Sequence, residues 1–167
     1  VTTLLVDAAT RRLSAFGRTI RCAVGRNGAV PAAAKREGDG MTPVGTWPIR
    51  TLLLRPDRIP LMPLRLPWHW LRPHDGWSDD PADPAYNRPI RHPHGFSAER
   101  LWRDDGLYDA IITLGHNDSP PMPGAGSAIF LHCWNEGQPT EGCVAIAKEE
   151  LLTLLSLIAI GDEIRIE

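Results

Sequence analysis

Nine of the sixteen prolines in this 167-residue chain lie between Arg55 and Pro93. Proline fixes φ and lacks a backbone N–H, so a segment this dense in proline is expected to form neither a helix nor a central strand. The same segment carries Trp68, Trp70 and Trp77. Indole rings need apolar surface to pack on, which argues against a disordered linker. The segment therefore reads as a long ordered excursion that covers one end of a core built elsewhere. Excursions of this kind serve as lids or binding walls, and this one is expected to line a groove. Its most specific part runs from Gly76 to Arg88. Asp79, Asp80 and Asp83 lack the spacing and the glycine of a calcium loop and read as turn and capping residues. His92 and His94 have no further ligands at metal-site spacing, so no metal is expected.

The core must come from the remaining sequence. Thr2–Val6, Arg12–Phe16 and Thr19–Val24 read as small antiparallel strands, with Gly17 and the Asn27-Gly28 pair marking turns, the latter a hairpin signal. Cys22 reads as a small buried strand residue. Gly38, Gly40, Pro43 and Gly45 form a tight loop before a strand over Thr46–Leu54. The loop lacks the Gly-Lys-Ser/Thr ending of a phosphate-binding loop. Ser97 is placed to cap a short helix through Trp102, and Asp105-Gly106 turns into a strand over Leu107–Leu114. Leu151, Leu152, Leu154, Leu155 and Ile158 recur at helical spacing from Lys148 onward. Gly161-Asp162 stops that helix before an alternating closing strand, Glu163–Glu167.

Length and composition fit one domain, residues 1–167, with a real core. Hydrophobic residues at 43% and charged residues at 23% are ordinary for a soluble globular protein. A net charge of −2 gives no reason to expect nucleic acid, and no apolar run is long enough for a membrane helix. Three cysteines do not make a disulfide scaffold. No signal peptide is visible from Val1 onward, which leaves an exported form already trimmed or a protein that stays in the cell.

Chemistry concentrates between Ser127 and Ala145. The apolar run Ala128–Leu131 reads as a buried strand that ends at His132, and a loop then delivers Thr140-Glu141-Gly142-Cys143. This order brings a nucleophile to its base. A cysteine thiol, with a free pKa of about 8.5, needs an imidazole nearby to become a thiolate. Gly142 beside it lets a substrate approach the backbone, whose N–H groups face a developing oxyanion. His116 follows a strand expected to neighbour the one ending in His132, so it is a candidate to reach the site.

The order histidine, loop, Thr-x-Gly-Cys resembles the catalytic signature of the L,D-transpeptidase (YkuD-type) family. The upstream Thr42-Pro43-Val44-Gly45 before an aromatic-containing strand resembles the same family. The resemblance implies a mainly-β, curved β-sandwich with short helices. It implies a monomeric, cofactor-free acyltransferase of the periplasm or cell envelope, acting in peptidoglycan biosynthesis and cell-wall organisation. Cys143 would form a thioester with a peptidoglycan stem peptide, His132 would be its base, and Cys133 would orient His132 through its carbonyl. Gly142 would contribute to the oxyanion site, and Thr140, Glu141 and His116 would contact substrate. Two positions depart from the pattern. Glu141 stands where the family usually has histidine, and Ala145 where it usually has arginine or asparagine. Ala145 leaves a carboxypeptidase or amidase with the same Cys–His pair as a rival, beside a non-catalytic wall-binding module. Glu141 is expected to point away from the sulfur or to pair with a cation, and Cys133 and Cys143 are expected to remain unbonded on opposite faces.

Overall fold

The computed structural model describes all 167 residues. Thirteen strands and one α-helix make up the chain: β1 (Thr3–Asp7), β2 (Arg12–Ala15), β3 (Arg18–Arg21), β4 (Ala29–Pro31), β5 (Thr42–Leu54), β6 (Trp68–Trp70), β7 (Asp75–Ser78), β8 (Pro89–Arg91), β9 (Ala98–Arg100), β10 (Ala110–Leu114), β11 (Phe130–Cys133), β12 (Val144–Ile146), α1 (Lys148–Leu155) and β13 (Glu163–Ile166). The fold is mainly β, as expected, and its organising strand is β5. The first half of β5 pairs antiparallel with β13 from Gly45 to Pro48, and its second half pairs antiparallel with β10 from Ile49 to Leu54. A register shift between Ile112 and Leu114 bends the sheet at this handover. The sheet therefore curves around its own core, in the order β12-β11-β10-β5-β13-β1-β2-β3.

The core fills the concave side. Leu4, Val6, Leu13, Ile164 and Ile166 face Leu52, Leu54, Ile112, Leu131, Val144 and Ile146 across it, and α1 adds Leu151, Leu154 and Leu155. Alternation along the strands dictates this arrangement: Leu4 and Val6, two residues apart, are both fully buried. A second cluster lies on the other face of β5, β10 and β11, where Leu53, Ile111 and Phe130 pack against Leu71 from the Pro/Trp-rich excursion and Leu101 and Tyr108 from the segment that follows it. The Trp77 ring meets Phe130 edge-on at 5.0 Å. The excursion thus roofs the sheet.

Several expectations are corrected. The proline-dense segment does hold short strands, because they fit between prolines. Pro89 opens β8, at the edge of a small sheet ordered β8-β7-β9, where a missing N–H is tolerated. Residues 98–100 form β9, which pairs with β7, in place of the expected capped helix. The Ser97 hydroxyl donates instead to Asp79 Oδ1 at 2.7 Å. Trp68 stays 36% exposed, unlike Trp70 and Trp77. The Asn27-Gly28 turn makes no hairpin: it leads into β4, which runs parallel to β5.

Candidate active site

β12 runs parallel to β11, with Leu131 opposite Val144 and His132 opposite Ala145. Two parallel neighbours need a return connection, here residues 134–143, and that return forms one wall of a cleft of about 540 Å³. The loop ends by presenting Cys143 level with the start of β11. Phe130 N–H donates to Cys143 Sγ at 3.3 Å, and the thiol donates to the Ala128 carbonyl at 3.1 Å. His132, two residues beyond Phe130, shares its face of the strand. Cys143 and His132 line the same cleft. Leu131 and Cys133 point to the opposite face and join the main core. All three cysteines are free, so Cys133 and Cys143 are unbonded and separated by the sheet, as expected.

His132 Nδ1–H donates to the Cys133 carbonyl at 2.7 Å. That bond fixes the tautomer and leaves Nε2 as the nitrogen able to accept a proton. The Tyr108 ring packs edge-on against the imidazole at 5.1 Å. Burial lowers the His132 pKa to about 4, with the Cys133 and Leu107 backbones pulling in the opposite direction. Burial raises the Cys143 pKa to about 12, and the Glu99 carboxylate pushes the same way. The resting pair is therefore thiol and neutral imidazole, where the sequence led us to expect a thiolate.

The turn that delivers Cys143 is shaped by Thr140. Its hydroxyl donates to the Cys143 carbonyl at 2.6 Å and accepts from Gly142 N–H at 3.1 Å. The Gly142 N–H is thus occupied, whereas the Glu141 and Cys143 N–H groups have no internal partner at this turn. Gly142 has φ +149, and a Cβ there would come within 2.9 Å of the Met41 carbonyl. Only glycine fits, because the Gly38–Gly45 loop presses against the turn. Glu141 lines the rim, exposed and ion-paired with Arg26. Ala145 lines the cleft floor and is fully buried.

His116 lies elsewhere. β10 neighbours β11 as expected, but antiparallel, so Ile111 rather than the end of β10 lies opposite His132. His116 is buried against Trp47 with its ring edge-on at 4.9 Å, and its Nδ1 has no partner. It is absent from the cleft lining. Burial and Lys35 lower its pKa to about 4.

Several cleft residues were not singled out in the sequence. Lys35 and Glu37 come from the loop before β5, Glu99 from β9, and Arg103, Leu107 and Tyr108 from the segment that follows it. Glu99 is half-buried and accepts a hydrogen bond from the Tyr108 hydroxyl. Burial raises its pKa. Reading 97–102 as a helix hid Glu99. Alternation around Glu99 was the available signal, but three residues are too few to reveal a strand.

The family model described as L,D-transpeptidase catalytic domain matches residues 2–166. Among solved structures, Bd1075 from Bdellovibrio bacteriovorus is similar at 17% identity with a TM-score of 0.52, over 99% of this chain and 47% of that one. An L,D-transpeptidase from Mycobacterium smegmatis is similar at 13% identity and a TM-score of 0.44, over 99% and 58%. The helical cell shape determining protein Pgp2 from Campylobacter jejuni is similar at 16% identity and a TM-score of 0.47, over 100% and 47%. The chain thus spans roughly half the length of these proteins. No curated protein sequence matches it.

Proposed function

The chain belongs to the L,D-transpeptidase catalytic-domain family, and from that premise we propose that it transfers acyl groups of peptidoglycan stem peptides through a thioester on Cys143. One observation carries the reading: His132 faces the cleft that holds Cys143, with its Nδ1–H tied to the Cys133 carbonyl. Nε2 is then the base. It takes the thiol proton as sulfur attacks the amide carbonyl, so the uncharged resting pair ionises only when bond formation begins. The Cys143 N–H donates to the oxyanion. Thr140 acts by holding the turn, and Glu141, paired with Arg26, forms the rim. His132 returns the proton to the leaving amine. An acceptor amine then resolves the thioester. The cell envelope, where stem peptides are found, is the proposed compartment, and no helix here is long and apolar enough to cross a membrane.

The test is incubation with purified stem tetrapeptides, alone and with an acceptor peptide. A mass increase on Cys143 followed by a cross-linked product supports transfer. A mass increase followed only by a trimmed peptide assigns hydrolysis. No acylation of the thiol by any stem peptide would leave the wall-binding reading.

A further inference from the structure

The charges of the cleft do not balance. Its two cations are each neutralised from outside the lining: Lys35 pairs with Asp39 at 2.5 Å, and Arg103 pairs with Asp105. Three of its carboxylates form no ion pair, although the Arg103 guanidinium acts on Glu99 at longer range. Glu37 accepts from the Tyr86 and Ser127 hydroxyls, both at 2.6 Å. Asp79 accepts from the Ser97 hydroxyl, and Glu99 from the Tyr108 hydroxyl. None of the three takes part in an ion pair. Neutral donors orient a carboxylate and leave its charge in place. The second oxygen of Glu99 has no hydrogen-bond partner, and Glu99 lines the same cleft as Cys143. The carboxylates do not converge as a set of metal ligands would. A cleft with this charge is complementary to an extended organic cation.

We infer that Glu99 is the binding residue for the acceptor amine, which arrives as a primary ammonium, and that Glu37 and Asp79 add to its field. The inference rests on the proposed acyl transfer. Glu99 holds the ammonium by a charge-assisted hydrogen bond and takes one proton from it, which passes to solvent. The freed amine attacks the thioester carbonyl. As the tetrahedral adduct collapses, the C–N bond stays and the C–S bond breaks. His132 carries the second amine proton to the leaving sulfur, restoring the Cys143 thiol. Tyr108 positions Glu99, since its ring also packs against His132.

The test compares nucleophiles of different charge on the acylated enzyme. Glycinamide is largely a cation near neutral pH, whereas hydroxylamine is largely uncharged. Glu99→Gln retains the acceptor for the Tyr108 hydroxyl, so the wall is preserved. In Glu99→Gln, the ratio of transfer to hydrolysis with glycinamide should fall roughly tenfold or more, the value expected for a lost hydrogen bond to a charged group. With hydroxylamine it should hold within about twofold. Asp79→Asn should produce a smaller loss of the same kind. Equal losses with both nucleophiles, or no loss, would overturn the inference. A second readout is glycinamide affinity for the Cys143→Ala protein, which should weaken to a similar degree in Cys143→Ala with Glu99→Gln. If the wild-type thiol never acylates yet this affinity depends on Glu99, the cation site stands and the transferase reading falls. Calcium displacing the amine stoichiometrically would make the site metal-binding and overturn the inference.

Discussion

The large sheet and the small sheet are held by different chemistry. Leucine, isoleucine and valine fill the concave side of the large sheet. The small sheet, β8-β7-β9, is secured by side-chain amides and carboxylates. Asn87 alone makes four bonds: its Oδ1 accepts from Trp77 Nε1 and from Ala128 N–H, and its Nδ2 donates to the His116 and Asn117 carbonyls. Asp83 accepts from Ser78, from the backbone at Ala85 and contacts His94. The large sheet presents Cys143 and His132 to the cleft, and the small sheet presents the carboxylate Glu99. The contrast teaches that the strand carrying His132 takes its position from apolar packing, while the opposing wall adds a polar network to its apolar contacts.

The contrast breaks most sharply at sulfur. Cys133 and Cys143 are both buried, and burial raises both thiols, to about 11 and about 12. Only Cys143 faces the cleft. Cys143→Ser should lower acyl transfer by roughly 10³-fold or more with the fold intact, whereas Cys133→Ser and Cys22→Ser should retain most activity. Turnover on stem peptides together with a thermal melt of each variant decides it.

Stability sharpens the same comparison. Leu131→Ala removes a fully buried side chain of the large core and should cost about 3 kcal/mol through the cavity left behind. Asn87→Ala leaves donors and acceptors on β7 and on the loop between β10 and β11 unpaired and should cost about 2 kcal/mol. Urea unfolding measures both. Retention of full stability in Asn87→Ala would show that the roof is held by its apolar contacts alone.

Acid probes the buried histidines. His116 and His132 both have pKa values lowered by burial to about 4, below the ordinary value of 6.5. The unfolded chain binds more protons than the folded one in this window, so stability falls as pH drops below about 6.5 and stops falling from this cause near 4. In His116→Gln, whose side chain does not titrate, this slope should be about half that of the wild type. An unchanged slope across this range would mean that folding does not shift the His116 pKa.

The smallest effect is expected at Ala128. It has φ +54, and its N–H and carbonyl are held by Asn87 and the Cys143 thiol, so both regions fix the conformation. Ala128→Gly relieves the left-handed strain and should leave stability unchanged or raise it by up to about 1 kcal/mol. Calorimetry reads the difference.

The closing strand, the final helix and the strand ending at His132 could be read from the sequence because apolar periodicity alone dictates them. The opposite faces of Cys133 and Cys143 followed from strand alternation. The parallel return of β12 could not be read, since nothing between Trp134 and Cys143 encodes strand direction. The small sheet was hidden for a related reason. Its three-residue and four-residue strands are specified by Asn87 and Ser97 reaching partners far along the chain, and such pairings leave no period. His116 illustrates the limit: its neighbouring strand was expected, but its distance from His132 depends on that strand running antiparallel.

The hydrogen bonds on the Cys143 sulfur have a consequence for handling the protein. The S–H proton points to the Ala128 carbonyl and the sulfur is capped by the Phe130 N–H, so the resting group is a shielded thiol. Peroxide and small alkylating agents react through the thiolate. Such reagents should consume this cysteine slowly in the absence of substrate. A peptide-like electrophile long enough to fill the cleft and draw the proton toward His132 should modify it quickly. Selective labelling thus depends on the shape of the reagent more than on its intrinsic reactivity, and the protein should tolerate oxidants that would consume an exposed, ionised cysteine.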